Sequence, residues 1–323
     1  VARPPEKLLV GLDQVHDGSF LIRRAGELAH RFDASVVLFD CVHNRFVSRR
    51  YFPEEPTLAH ARETLVRQHG ERMRRLAAKL VGEGVEVSVD AAWDGTLNDG
   101  VIKAASRHQA DWILVSVRLH PVHRTPMFSE ADWQLIRHAP CPLLFVQPRP
   151  WSSPVRVVAA VDPLQAHGKP GGLDRRILEA GACICRHGGG HLHVFHAFTP
   201  ILRTATAEVP GPLPVEYAEA TLEGTHNAAV EDLVGDFPEA AGRVRVAEGR
   251  AEDKLPDYAA EVRADVVVMG AVARSPLKRM FIGSTAEKVL DRLGCDVMVI
   301  KPEQSAVHVA RLAPPLLTSN RLH

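Results

Sequence analysis

The sequence predicts an α/β protein made of two tandem doubly wound domains, each with a five-stranded, mainly parallel sheet. Three observations predict this. The chain repeats itself: Asp111-Trp-Ile-Leu-Val-Ser-Val117 aligns with Asp265-Val-Val-Val-Met-Gly-Ala271, and Cys141-Pro-Leu-Leu-Phe-Val146 with Cys295-Asp-Val-Met-Val-Ile300, both at an offset of 154 residues. Within each copy, short apolar runs alternate with stretches of helical period. The runs are apolar on both faces, as in Ile113-Leu-Val115 and Leu143-Leu-Phe-Val146, the pattern of parallel strands covered by helices on both sides.

The elements follow in order. Lys7-Leu-Leu-Val-Gly-Leu-Asp13 is an apolar run ending in Asp, and it recurs as Val155-Arg-Val-Val-Ala-Ala-Val-Asp162. Leu21-Ile22, Ala25, Leu28-Ala29 and Phe32 then mark one face of a helix. Val36-Val-Leu-Phe39 has its partner in Leu192-His-Val-Phe195. These early runs are offset by 149 to 156 residues, so length differences fall in the intervening loops. Strands in the first copy are expected near 7–13, 35–42, 85–90, 112–117 and 142–147. Gln147–Pro154 holds three prolines in eight residues, which reads as a stiff, extended connector. Domain 1 is therefore expected over 6–147, domain 2 over 154–302, and a tail, frayed end or strap, over 303–323.

Composition narrows the function. Lys+Arg and Asp+Glu are both 39, so neither a basic nucleic-acid surface nor a polybasic membrane anchor is expected. No apolar stretch reaches the length of a membrane span, and the start Val1-Ala2-Arg3-Pro4-Pro5 lacks a signal-peptide pattern. Five Cys is an odd number spread over a long chain, which fits a reduced, cytoplasmic protein.

In a doubly wound sheet, ligands bind beyond the carboxyl ends of the strands at the point where strand order reverses. Asp13 and Asp162 each end a first strand. Such a carboxylate binds a ribose hydroxyl or an adenine amine, or else serves as a turn or helix-cap residue. In domain 2, Gly270 follows a strand, Arg274, Lys278 and Arg279 make a basic loop, and Gly283-Ser284-Thr285 opens a helix expected over Ala286–Leu293. A Gly and a helix N-terminus let backbone N–H groups approach an anion. The bland reading of Ser284-x-x-Glu287 is a capping box.

Gly270-x2-Ala273-x9-Gly283-Ser284 resembles the Gly-x2-Gly-x9-Gly-(Ser/Thr) nucleotide-phosphate signature of the universal stress protein family, with Ala in place of the second Gly. Phe128-Ser129-x-x-Asp132-Trp133, Phe281-Ile-Gly-Ser-Thr-Ala-Glu287 and Cys295-Asp-Val-Met-Val-Ile-Lys-Pro302 extend the resemblance over both halves, and it is closest to the tandem E-type members. It implies a Rossmann-like, adenine nucleotide alpha hydrolase-like fold and a cytoplasmic stress-response regulator. It also implies a site for ATP or a related nucleotide formed by Ala160, Val161, Asp162, Met269, Gly270, Val272, Ala273, Arg274, Gly283, Ser284 and Thr285. The matching positions of domain 1 are Ser116, Leu119 and Ser129, whose side chains stand where phosphate needs bare backbone. Domain 1 is thus expected to lose the anion site or to take something less charged. A small-molecule ligand is the partner implied; homodimerisation is compatible with the reading.

Other constellations are weaker. Cys183-x-Cys185-x-His187 with His191, His193 and His196 looks metal-like, but residues two apart on a helix point about 200° apart, so no metal is assigned. His120 and His123 replace the phosphate loop in domain 1, and their role is open between metal or ligand contact and none. There is no P-loop, no nucleophile elbow and no nucleophile–base pair. A dedicated enzyme is the less favoured class. Slow ATP hydrolysis in domain 2, or a scaffold binding an apolar or metal ligand, are the alternatives.

Overall fold

The structure is a computed structural model that describes residues 3–12, 18–44, 46–119, 126–164, 172–199, 215–271 and 288–302. Its contacts divide the chain into two units, one over Pro4–Arg118 and Phe128–Pro150, the other over Trp151–Pro302 together with Arg3, Leu119 and Pro126–Met127.

In domain 1, β1 (Lys7–Leu12), α1 (Ser19–Phe32), β2 (Ser35–Val42), α2 (Glu55–Gly82), β3 (Val87–Trp93), α3 (Leu97–His108) and β4 (Trp112–Ser116) come first. Then α4 (Glu130–His138) and β7 (Leu143–Val146) complete it, while the two-residue strands β5 (Arg118–Leu119) and β6 (Pro126–Met127) form a separate pair. The strand order is β7-β4-β1-β2-β3, and all of these neighbours run parallel. Domain 2 has β8 (Arg156–Ala160), α5 (Leu173–Gly188), β9 (His191–Phe198), α6 (Val215–Val234), β10 (Val244–Glu248), α7 (Ala251–Glu261), β11 (Val266–Gly270) and β12 (Asp296–Ile300). Its order is β10-β9-β8-β11-β12, again parallel. The order therefore reverses between β1 and β4 in one domain and between β8 and β11 in the other.

The central strands are apolar because both faces are covered, whereas β10, at an edge, is largely exposed. Leu8, Leu9 and Val10 of β1, and Val157, Val158 and Ala159 of β8, are fully buried. The helices bury one stripe: Leu21, Ile22, Ala25, Leu28 and Phe32 of α1 are inside, the face the sequence marks.

Two differences from the sequence reading have physical causes. The third strand starts at Val87 rather than 85 because Val85 serves to end α2. Its N–H reaches the Leu80 carbonyl at 3.0 Å while Gly84 N–H reaches Val81 at 3.0 Å, with Gly84 at φ +85°. That is a Schellman closure, which needs a left-handed residue after the helix. The strand then runs on to Trp93 because Asp40, Cys41 and Val42 of β2 pair with Ala91, Ala92 and Trp93. Part of the proline-rich connector is also anchored. The Trp151 indole donates to buried Asp296 at 2.8 Å, and Ser152 N–H donates to Asp265 at 2.9 Å.

Gly82 and Gly84 provide opposite tests. A Cβ added at either would meet nothing within 4 Å, so backbone conformation alone separates them. Gly82→Ala replaces a helical glycine and should stabilise by about 0.5–1 kcal/mol. Gly84→Ala must hold a side chain at positive φ and should destabilise by about 1–2 kcal/mol. Urea unfolding of the two variants checks the signs.

Candidate functional site

The first part of the site is the reversal point of domain 2. β8 and β11 are adjacent, with Val266, Val267 and Val268 opposite Val157, Val158 and Ala159. Continuing that register brings Met269 level with Ala160 and Gly270 level with Val161. The sequence-predicted Ala160, Val161, Asp162, Met269 and Gly270 are therefore brought to one pair of strand ends. Val272, Ala273, Arg274, Gly283, Ser284 and Thr285 lie outside the described residues, as do Asp13, His120 and His123. Of the helix expected over 286–293, Lys288–Leu290 are helical and residues 291–292 form a turn. The Arg292 guanidinium there donates to the Glu252 carbonyl at 2.7 Å.

The turn after β8 is held from three sides. Val161 N–H continues the ladder to the Phe195 carbonyl at 2.9 Å. The Val161 carbonyl accepts from His196 Nδ1 at 3.0 Å. Asp162 N–H donates to the Asp174 carboxylate, in the first turn of α5, at 2.9 Å. Asp162 itself is half-buried. A carboxylate in the first turn of α5 also complements the helix dipole.

Gly270 has a packing reason of its own. A Cβ there would stand 2.8 Å from Leu173 Cδ2 and 3.2 Å from Ile177 Cδ1. The bare strand end lets α5 sit close to β11. The glycine of the signature thus has a role in packing whether or not a ligand approaches it.

Domain 1 has a crevice of about 510 Å³ at the corresponding strand ends, lined among others by Gly11, Val115, Ser116, Asn98, Ala131 and Gln134. The Asn98 amide donates to the Ala131 carbonyl across it, joining α3 to α4. Gly11 admits α3, since a Cβ would meet Val101 at 2.7 Å. Ser129 caps α4. Asp132 Oδ2 accepts from both the N–H and the hydroxyl of Ser129 at 2.7 Å, and Ser129 Oγ accepts from Asp132 N–H at 3.3 Å. The N–H groups of Ser129 and Asp132 are thereby paired, and the Asp132 and Glu130 carboxylates both stand in the first turn of α4. A phosphate placed there would meet negative charge.

Several other described titratable groups are held within the fold. Asp90 is buried; burial pushes its carboxyl up, but hydrogen bonds from His108 and Arg107 together hold it below its ordinary value. Burial pushes the Cys41 and Cys185 thiols up to about 12, so neither supplies thiolate near neutral pH. Cys183 and Cys185 lie within α5, and His187 Nδ1 donates to the Cys183 carbonyl at 2.9 Å. His191 and His193 are half-buried while His196 is buried, as alternation along β9 requires. Among the described residues, no three His, Cys, Asp or Glu side chains converge as metal ligands, and no helix is long and apolar enough to cross a membrane.

Sequence reasoning missed Asp174, and it missed His226, which joins His196. The acid at the second position of α5 is a visible helix-start signal, but its partner Asp162 lies across a long loop. Nothing in the spacing announces His226.

Gly270→Ala should destabilise by roughly 1–3 kcal/mol through overpacking. Leu173→Ala in the same chain should recover part of that loss, because it removes the clashing methyl group. A double-mutant cycle by urea unfolding measures the coupling.

Comparison with known proteins gives a single answer. A profile described as the Universal stress protein family matches residues 5–147 and 156–301. The chain is 26% identical over 304 residues to Universal stress protein E of Escherichia coli strain K12, covering 93% of this chain and 95% of that protein. It is 22% identical over 308 residues to a Universal stress protein E homolog of Haemophilus influenzae, covering 93% and 98%. A functionally unknown protein from Pseudomonas aeruginosa PAO1 superposes with a TM-score of 0.73 at 25% identity, covering 96% of this chain and 97% of that one. A universal stress protein from Archaeoglobus fulgidus shares the fold, with a TM-score of 0.65 at 17% identity and coverage of 92% and 98%.

Proposed function

The chain belongs to the universal stress protein family, in tandem-domain form, and from that premise we propose that domain 2 binds a nucleotide of the ATP class and acts as a stress-response regulator in the cytoplasm. The observation that carries the reading is the meeting of two strand ends. β8, which leads into Asp162, and β11, which ends in Gly270, are neighbours at the reversal point of the sheet. Ligands of doubly wound sheets lie in that crevice. The sequence that follows Gly270 supplies the basic Arg274 and the Gly283-Ser284-Thr285 helix start, a backbone anion site by composition. In this reading Asp162 accepts hydrogen bonds from the nucleoside, while Gly270, Ala273, Arg274, Gly283, Ser284 and Thr285 hold the phosphates. Ala160, Val161, Met269 and Val272 form the floor.

A specific observation favours a second ligand in domain 1. The crevice of about 510 Å³ is the size of a small-molecule pocket, and the carboxylates of Glu130 and Asp132 at the α4 N-terminus disfavour phosphate. A neutral or cationic small molecule suits it better than a nucleotide.

Asp162→Ala should lower affinity for ATP and for adenosine by similar factors, about 1.5–3 kcal/mol each if a charged hydrogen bond is lost. Gly283→Val or Arg274→Ala should weaken ATP far more than adenosine, because they act on phosphate alone. Calorimetry with the two ligands separates these effects, with a stoichiometry of one ATP per chain. Unchanged ATP affinity in Asp162→Ala would reduce that residue to a turn former.

A further inference from the structure

A pair of histidines that the signature does not contain ties the end of β8 to α6. His196 on β9 is 2% exposed, and its Nδ1 lies 3.0 Å from the Val161 carbonyl. A carbonyl only accepts, so Nδ1 carries the hydrogen. In the neutral ring Nε2 is then bare, and it lies 2.8 Å from Nδ1 of His226 on α6. His226 therefore donates from Nδ1, and its own Nε2 is the remaining base. The rings stack at 4.9 Å between centroids, and His226 also stacks on Phe198 at 4.4 Å.

The donors run one way, from His226 to His196 to the Val161 carbonyl, one peptide before Asp162. A proton on His226 Nε2 leaves this order intact but creates a cation in a slot where the residue is 8% exposed. A proton on His196 Nε2 reverses the donor order if His226 shifts its hydrogen to Nε2; once both rings are charged, two N–H groups oppose each other and the link breaks.

Burial, more than neighbouring charge, opposes protonation of His226. From the β8 turn, Asp162 favours a cation on His226, but burial and the neighbouring His196 disfavour it, and the His226 pKa is lowered. From α5, Asp174 is engaged with Asp162 N–H. On β10, Val246 is level with His196 and Glu248 with Phe198. On α6 itself, Glu223 one turn away is exposed. A depressed histidine leaves the folded chain with fewer protons than the unfolded chain below about pH 6.5. The stabilisation is thus fully present above that pH and is lost as pH falls through the lowered folded value.

We propose that His196 and His226 are positioning residues that hold the Val161–Asp162 turn ready for its ligand at neutral pH and release it on acidification. The ligand half of this proposal rests on the nucleotide reading above; the positioning half does not.

The test compares the full-length chain with His226→Gln at about pH 7.5 and about pH 5.5, a range that spans histidine titration. The glutamine amide can donate to or accept from His196 Nε2 without titrating. Hydrogen exchange, corrected for intrinsic rates, is read over 156–162 and 215–234. The wild-type chain should lose about tenfold protection there on acidification, while the variant should change little. Adenosine, which has no group titrating in this range, should lose affinity in parallel in the wild type only. Equal pH dependence in both chains, or a loss of protection spread over all of domain 2, overturns the proposal. If adenosine and ATP do not bind at either pH, the nucleotide reading fails while exchange still decides the histidine couple. Should the variant not fold, imidazole nitrogen shifts of the wild type decide: a neutral His226 with its hydrogen on Nε2 overturns the proposal.

Discussion

The chain depends on how its central parallel strands are terminated. Inside the sheet, backbone groups pair with neighbouring strands, but at the carboxyl ends the ladder stops while the chain is still enclosed by helices. Each exposed N–H and carbonyl there needs a partner, since an unpaired buried polar group costs about 1–3 kcal/mol. In domain 2 the partners at the β8 end are the Phe195 carbonyl, the His196 ring and the Asp174 carboxylate. In domain 1 the α4 N-terminus is completed by Ser129 and Asp132. The same constraint thus produces a held turn in one domain and a self-satisfied helix start in the other.

Close helix–strand approach is the second consequence of this architecture. Gly11 and Gly270 sit on the strands flanking the two reversal points, and each leaves space that a methyl group would fill. Val101 of α3 occupies it in domain 1, Leu173 of α5 in domain 2. A glycine in a ligand signature therefore carries two constraints at once, and packing alone suffices to require it. That is why Gly270 by itself discriminates poorly between a binding site and a core contact.

The sheet was legible in the sequence because parallel strands buried on both faces leave an unmistakable apolar run. Ile113-Leu-Val115 and Val266-Val-Val268 are examples. The duplicated text made the second domain legible from the first. Strand ends were less so, because Val85 looks like strand but is consumed in closing α2, a tertiary use that periodicity does not register. Asp162 could be singled out by its position after an apolar run. Asp174 and His226 could not, because each acts on a residue far away in sequence. The pairing of Asp162 with Asp174 and of His196 with His226 exists only once the loop and α6 are in place.

Comparing the two domains shows where the fold leaves freedom. The buried strands and helix stripes are chemically alike in both, so stability places similar demands on both cores. The residues just past the strands carry no such demand, provided that their backbone groups are paired. In domain 1 part of that pairing is internal: a carboxylate from the first turn of α4 accepts from the N–H and the hydroxyl of the cap residue Ser129. This stabilises the domain without any ligand and fills the anion position with negative charge. A helix start that binds phosphate through its N–H groups is instead stabilised when the anion arrives. Ligand dependence and self-sufficiency are thus alternative solutions to one backbone requirement, and a duplicated chain can hold one of each.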